Sequence, residues 1–214
     1  LLQGDVGSGK TIVALMSMLI CIDNDFQTCL IAPTEILATQ HFNSFNSALS
    51  NLNVNIRLLT GTTKLSERKI IFNDLKNGSL NILIGTHAVF EENVVFKNLG
   101  FAVIDEQHRF GVKQRSKIWE KNNPPPHVLI MTATPIPRTL TMSLYGDLDL
   151  SIIDELPPGR KDVITVSRKD KNRLKVFGFI KDQIKKGRQI YVVYPLIEES
   201  KKMDLKFLED GYES

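Results

Sequence analysis

Gly4-Asp5-Val6-Gly7-Ser8-Gly9-Lys10-Thr11 fits the pattern G-x-x-x-x-G-K-[ST] without a mismatch. Before it, Leu1-Leu2-Gln3-Gly4 reads as a strand cut in its middle. After it, the apolar run 12–22 reads as a helix. A strand on one side and a helix on the other is the setting this motif requires. There the glycines let successive backbone N–H groups curl around phosphates, the helix N-terminus adds its positive dipole end, and Lys10 reaches the β- and γ-phosphates. Thr11 is placed to ligate Mg²⁺ through its hydroxyl. Gly4, Asp5, Val6, Gly7, Ser8, Gly9, Lys10 and Thr11 are therefore the candidate nucleotide-binding residues, with a nucleotide and Mg²⁺ as the expected ligands; the loop alone does not say which nucleotide.

Outward from that loop, apolar runs of strand length alternate with longer segments of helical period. Strands are expected at 28–32, 56–59, 81–84, 101–105, 127–132 and 151–154. Helices are expected at 11–22, 35–49, 66–77 (closed by Gly78), 112–121 and 138–144. Continuous apolar strands of this kind are buried on both faces, which predicts a parallel α/β sheet with helices on both faces. The run 12–22 is interrupted by Ser17 and falls short of the ~20 residues a membrane span needs, so it reads as a buried helix. Pro157-Pro158-Gly159-Arg160 breaks the alternation as a linker does. The expected organisation is a domain over 1–156, a linker over 157–161 and the start of a second, truncated domain over 162–214. That second domain restarts with strands at 163–167 and 189–194 around a helix at 172–186 that ends at Gly187.

Composition narrows the function classes. Of 214 residues, 42% are hydrophobic and 24% charged, which suffices for a sizeable core. The net charge of +3 is uneven: residues 1–154 carry 13 Lys/Arg against 14 Asp/Glu (−1), and 155–214 carry 14 against 10 (+4). A basic second part is compatible with nucleic acid without establishing it. Two cysteines, Cys21 and Cys29, in apolar surroundings argue against a disulfide framework and read as reduced thiols of a cytoplasmic protein. Four histidines without paired cysteines or a His-Glu-x-x-His pattern speak against zinc. The opening residues show no signal peptide. Asn-Lys-x-Asp and Leu-Ser-Gly-Gly-Gln are both absent, which argues against a GTPase and a transporter ATPase. No segment supplies the acceptor lid of a metabolic kinase.

The second chemical signal is Phe101-Ala102-Val103-Ile104-Asp105-Glu106-Gln107-His108, an apolar strand ending in two carboxylates. Neighbouring side chains at a strand end point in different directions, so Asp105 can join the Mg²⁺ shell while Glu106 orients and deprotonates the attacking water. Lys10, Asp105 and Glu106 are the candidate catalytic residues. Thr132 and Thr134, in Met131-Thr132-Ala133-Thr134-Pro135, end the next strand with hydroxyls that can hydrogen-bond the acidic motif. Pro33-Thr34-Glu35, Thr60-Gly61 and Gly85-Thr86-His87 put small residues, hydroxyls and a helix start at other strand ends. Such groups can hold a nucleic-acid backbone without reading bases.

In this order and spacing the segments resemble the first motor domain of superfamily 2 helicases, with a RecA-like fold, over residues 1–156. Asp105-Glu106-Gln107-His108-Arg109-Phe110-Gly111-Val112 and Thr132-Ala133-Thr134-Pro135-Ile136-Pro137-Arg138-Thr139-Leu140 resemble the RecG family of branched-DNA helicases. So do Asp154-Glu155-Leu156-Pro157-Pro158-Gly159-Arg160 and Leu196-Ile197-Glu198-Glu199-Ser200. The resemblance implies an ATP-driven, monomeric motor that remodels stalled forks and Holliday junctions. It also implies that Gln107, His108, Thr132 and Thr134 couple the nucleotide to DNA held by Pro33, Thr34, Glu35, Thr60, Gly61, Gly85, Thr86 and His87. The translocase module of transcription-repair coupling factors shares much of both stretches but reads Asp-Glu-Glu-His where this chain has Gln107. By the resemblance, the adenine-reading segment, the arginine finger and the fork-recognising wedge fall outside the 214 residues. Weak hydrolysis by this stretch alone is therefore expected.

Overall fold

The computed structural model describes residues 1–106, 118–119, 121–134, 148–155, 159–160 and 163–193. The chain divides into two compact units, Leu1–Arg160 and Lys161–Ser214.

In the first unit the elements run β1 (Leu2–Gly4), α1 (Lys10–Asp23), β2 (Gln27–Ile31), α2 (Glu35–Ala48), β3 (Ile56–Leu59), α3 (Leu65–Asn77) and β4 (Ile82–Gly85). A 3₁₀ turn (His87–Phe90), β5 (Leu99–Asp105), β6 (His127–Thr132) and β7 (Ser151–Ile153) follow. The seven strands form one sheet in the order β3-β4-β2-β5-β6-β1-β7, and every pair is parallel. Each end signal acts where its chemistry predicts. The Thr34 hydroxyl caps α2 by accepting from the Leu37 N–H at 3.3 Å. Gly78 closes α3 at φ 86°, a left-handed conformation only glycine adopts at no steric cost.

The two-residue side-chain period of the strands splits the core in two. Cys29, Ile31, Leu83, Ala102, Ile104 and Ile130 face a cluster that includes Ile71 and Leu75 of α3. Their alternates Leu30, Ile82, Ile84, Val103 and Met131 face one that includes Ala14, Leu15 and Met18 of α1 and Ala38 and Phe45 of α2. Helices therefore cover both faces, as the continuous apolar strands require.

Two expectations are corrected. Only Ala14, Leu15 and Met18 of α1 are fully buried. Ile12, Met16 and Ile20, one turn apart each, are 53%, 60% and 66% exposed, because a helix lying on a sheet hides one face and this one is apolar nearly all round. In the second unit, helix α4 (Arg173–Lys185) forms as expected and Gly187 follows it at φ 74°. The described residues 163–167 and 189–193, however, are not strands. A strand exists only through its pairing, and Val163, Ile164, Tyr191 and Val193 are all more than three-quarters exposed. The expected helix at 138–144 and most of that at 112–121 lie outside the described residues.

Candidate active site

The sheet order puts β6 between β1 and β5, and parallel pairing brings all three C-terminal ends to one edge. Asp105 pairs with Met131, and Met131 with Leu2, so one row crosses the three strands. At two strand spacings, about 10 Å separate the backbone of Asp105 from that of β1. Gly4 and the loop after it rise just beyond that row.

The loop is already curled. Ser8 N–H donates to the Asp5 carbonyl at 3.1 Å, and Gly7 and Gly9 lie at φ 82° and 96°. Gly9 occupies the cap position of α1. A Cβ on Gly4 would stand 2.6 Å from Ser8 Oγ and 3.1 Å from Ile153 Cβ, so a side chain there would have to displace its neighbours. The Lys10 ammonium folds over the loop and donates to the carbonyls of Gly4 (2.7 Å) and Asp5 (2.9 Å). Arg160 forms an ion pair with Asp5, and that bond, with the Val6 N–H, holds the Asp5 carboxyl below the usual carboxylate range. Thr11, the second residue of α1, lines with Gly7, Gly9 and Lys10 a cleft of roughly 340 Å³ whose far wall is Ser44, Phe45 and Ala48 of α2.

The two carboxylates diverge. Glu106 sits at φ 48°, a left-handed conformation uncommon for a residue with a side chain. That twist turns its carboxylate toward β6, where it accepts from Ala133 N–H at 3.1 Å and from the Thr132 hydroxyl at 3.4 Å. Thr132 Oγ1 in turn accepts from Thr134 N–H at 3.1 Å. Asp105 points to the α2 side, where its Oδ2 lies 3.0 Å from His41 Nε2. A threonine hydroxyl and a carboxylate, Thr11 and Asp105, are hard oxygen donors of the kind Mg²⁺ takes beside phosphate oxygens.

Along the same edge, β2, β3 and β4 end in the other expected segments. Glu35 Oε1 accepts from the Thr62 N–H (3.1 Å) and hydroxyl (2.9 Å). Hydrogen bonding from the Thr60 and Thr62 side chains, and then from the Thr62 backbone, keeps the Glu35 carboxyl below its ordinary range. Arg68 braces the same loop, donating to the carbonyls of Thr60 (2.9 Å) and Thr63 (3.2 Å) while pairing with Glu91 at 2.8 Å. Gly61, Thr62 and His87 are exposed, Pro33 and Thr34 partly so. Thr60 and Thr86 are buried, and the Thr86 hydroxyl has no partner. Gly85 is fixed by space: a Cβ there would lie 2.3 Å from the Leu59 carbonyl oxygen.

The fold thus brings together Gly4–Thr11, Asp105, Glu106, Thr132 and Thr134 at one end of the edge, and Pro33–Glu35, Thr60–Gly61 and Gly85–His87 at the other. Gln107 and His108 lie outside the described residues. Sequence reading missed His41, Thr62, Arg68 and Arg160. Only Arg160, flanked by Pro157-Pro158-Gly159, carried a local signal. The others meet their partners across the sheet order, which spacing along the chain does not reveal.

Among the described residues, no three His, Cys, Asp or Glu side chains converge as a metal cluster, and no helix is long and apolar enough to cross a membrane. The DEAD/DEAH box helicase family model matches residues 1–143. The chain belongs to the DEAD/DEAH box helicase family. Helicases of this family use ATP, typically with Mg²⁺. This helicase chain is 51% identical over 214 residues to the ATP-dependent DNA helicase RecG of Aquifex aeolicus (strain VF5), covering 100% of the chain and 27% of that relative. To RecG of Thermotoga maritima it is 47% identical over 213 residues, again 100% and 27%. The chain spans about a quarter of the length of these curated relatives. In structure, it matches a RecG bound to a three-way DNA junction with TM-score 0.77 and 43% identity, over 92% of this chain and 26% of that one. The helicase MrfA bound to DNA and AMPPNP, at 19% identity and TM-score 0.64 over 86% of this chain and 30% of that one, shares the fold. The likeness to RecG carried by the motifs therefore extends along the whole chain.

Proposed function

We propose that this chain is the ATP-binding part of an ATP-dependent DNA helicase of the RecG kind, which remodels branched DNA such as stalled forks and Holliday junctions. The observation that carries the reading is the divergence of Asp105 and Glu106 at the end of β5, one toward α2 and the other held against Thr132 and Ala133. It separates two roles that one carboxylate cannot fill. The similarity to RecG helicases along the full chain supports the choice of substrate.

On this reading the loop Gly4–Thr11 cradles the triphosphate with its backbone N–H groups, and Lys10 exchanges its two carbonyl partners for β- and γ-phosphate oxygens. Thr11 and Asp105 would hold Mg²⁺, which would supply positive charge against that developing on the phosphates. Glu106 accepts the proton of the attacking water. Because its carboxylate also holds Ala133 N–H and the Thr132 hydroxyl, any shift at the γ-phosphate is passed to β6. Gln107 and His108 extend that coupling.

The DNA backbone is met at the other end of the edge. Gly61, Thr62 and His87 are its exposed contact points, with Pro33 and Thr34 beside them. Glu35 is an anion and bonded to Thr62, so it braces the loop and does not touch phosphate. Thr60, Gly85 and Thr86 shape the turns from beneath. Contacts of this type give affinity that falls with salt and little base preference.

The test is ATP hydrolysis by the full-length protein with forked DNA and with linear duplex of equal length at fixed salt. Strong preference for the fork is expected. Equal stimulation by both would point to a plain duplex translocase, and none by either would remove DNA from the mechanism.

A further inference from the structure

His41 belongs to none of the motifs above, yet its Nε2 lies 3.0 Å from Asp105 Oδ2, the one side-chain hydrogen bond of Asp105 among the described residues, with both side chains nearly buried at 12% and 13% exposure. An ionised carboxylate only accepts, so His41 Nε2 carries the proton in this bond. The ring is itself held. It lies edge-on to Phe45 one turn later on α2, at 6.2 Å between centroids and 64° between planes, and Phe45 is a fully buried member of the core beneath α1 and α2. The contact thus runs from the core, through an aromatic edge and an imidazole N–H, to one oxygen of the carboxylate.

We propose that His41 is a positioning residue that orients Asp105 for Mg²⁺ and ties that carboxylate to α2. The inference rests on the nucleotide-site reading above. Its physical content is preorganisation: an aspartate swings about two side-chain bonds, and a donor fixed on a packed helix removes that freedom before the ion arrives. The first turn of the same helix holds Thr62 through Glu35, at the end of the edge where DNA is expected. A displacement of α2 on DNA engagement therefore acts on Asp105 directly, without passing through β6.

The experiment uses the full-length protein and a non-hydrolysable ATP analogue, titrated with and without Mg²⁺. The magnesium gain is the ratio of the two dissociation constants. His41→Ala is expected to bind the analogue as the wild type does in the absence of Mg²⁺ and to lose about 10-fold of the magnesium gain, the usual lower cost of removing a group that holds a metal ligand. His41→Gln, which keeps an N–H donor at similar reach, is expected to restore most of that gain. Stimulation of hydrolysis by forked DNA should fall in His41→Ala and return in His41→Gln. A magnesium gain unchanged in His41→Ala would overturn the proposal. So would a His41→Gln variant no better than alanine, since the ring would then matter only as packing. A wild-type protein with no magnesium gain would instead overturn the nucleotide-site reading, and this inference with it.

Discussion

Glu106 pairs backbone strain with chemistry. A left-handed conformation in a residue with a side chain costs of order 1–3 kcal/mol and persists only where its surroundings enforce it. Here the Met131 carbonyl accepts the Glu106 N–H at 3.0 Å, and Thr132 and Ala133 hold the carboxylate. Glu106→Gln keeps the size and one accepting oxygen but, on the proposed reading, removes the base. Hydrolysis by the full-length protein should fall by roughly 10²–10⁴-fold, while the affinity for nucleotide, measured by equilibrium titration, stays close to the wild type. Turnover surviving that change would show that another group takes the proton. The two thiols offer a second test at this scale. Burial pushes Cys29 up to about 12, and Cys21, at the surface edge of α1, is raised by burial as well. Only the thiolate reacts, so at pH 8 about one Cys29 in 10⁴ is competent even before access is considered. Alkylation followed by peptide mass mapping should label Cys21 first and Cys29 only after unfolding.

Among the elements, β4 approaches β3 closely at Gly85. The missing Cβ lets the Leu59 carbonyl and Val89 close in, and Thr86 N–H then donates to that carbonyl at 3.2 Å. Gly85→Ala should destabilise the folded protein by about 3 kcal/mol, read as a drop in the thermal midpoint of roughly 6–12 °C for a unit of this size. An unchanged midpoint would mean that β3 yields and the packing is looser than described. The same elements show what was legible beforehand. Strands at 56–59 and 127–132 match their expected bounds, and the helix ends at Thr34 and Gly78 follow from capping chemistry alone. The glycines of Gly4–Thr11 and the Asp-Glu pair stand out as candidates in the sequence because their chemistry is local. His41 facing Asp105, 64 residues apart, does not, since that contact depends on the order in which the strands pair. The exposed side of α1 was misread for a related reason: apolar composition says that a helix can be buried, and only its neighbours decide how much of it is.

At the scale of the whole first unit, the sheet order grades its own stiffness. β5 and β6 lie inside the sheet with partners on both sides, as does β1, while β3 at one edge and β7 at the other are each paired on one side only. The carboxylates and Thr132 hang from the interior strands, and Thr60–Gly61 hang from an edge strand. Amide hydrogen exchange should register the difference as lifetimes. The amides of Val103 and Ile130 open only when the whole unit unfolds, and those of Arg57 and Leu58 open far more often. Exchange as slow at the edge as in the interior would refute that gradient. Its consequence is a separation of tempo within one sheet. The turn at Thr60–Gly61, carried by an edge strand, is expected to reopen many times between two hydrolysis events, while the strands that carry the carboxylates stay paired.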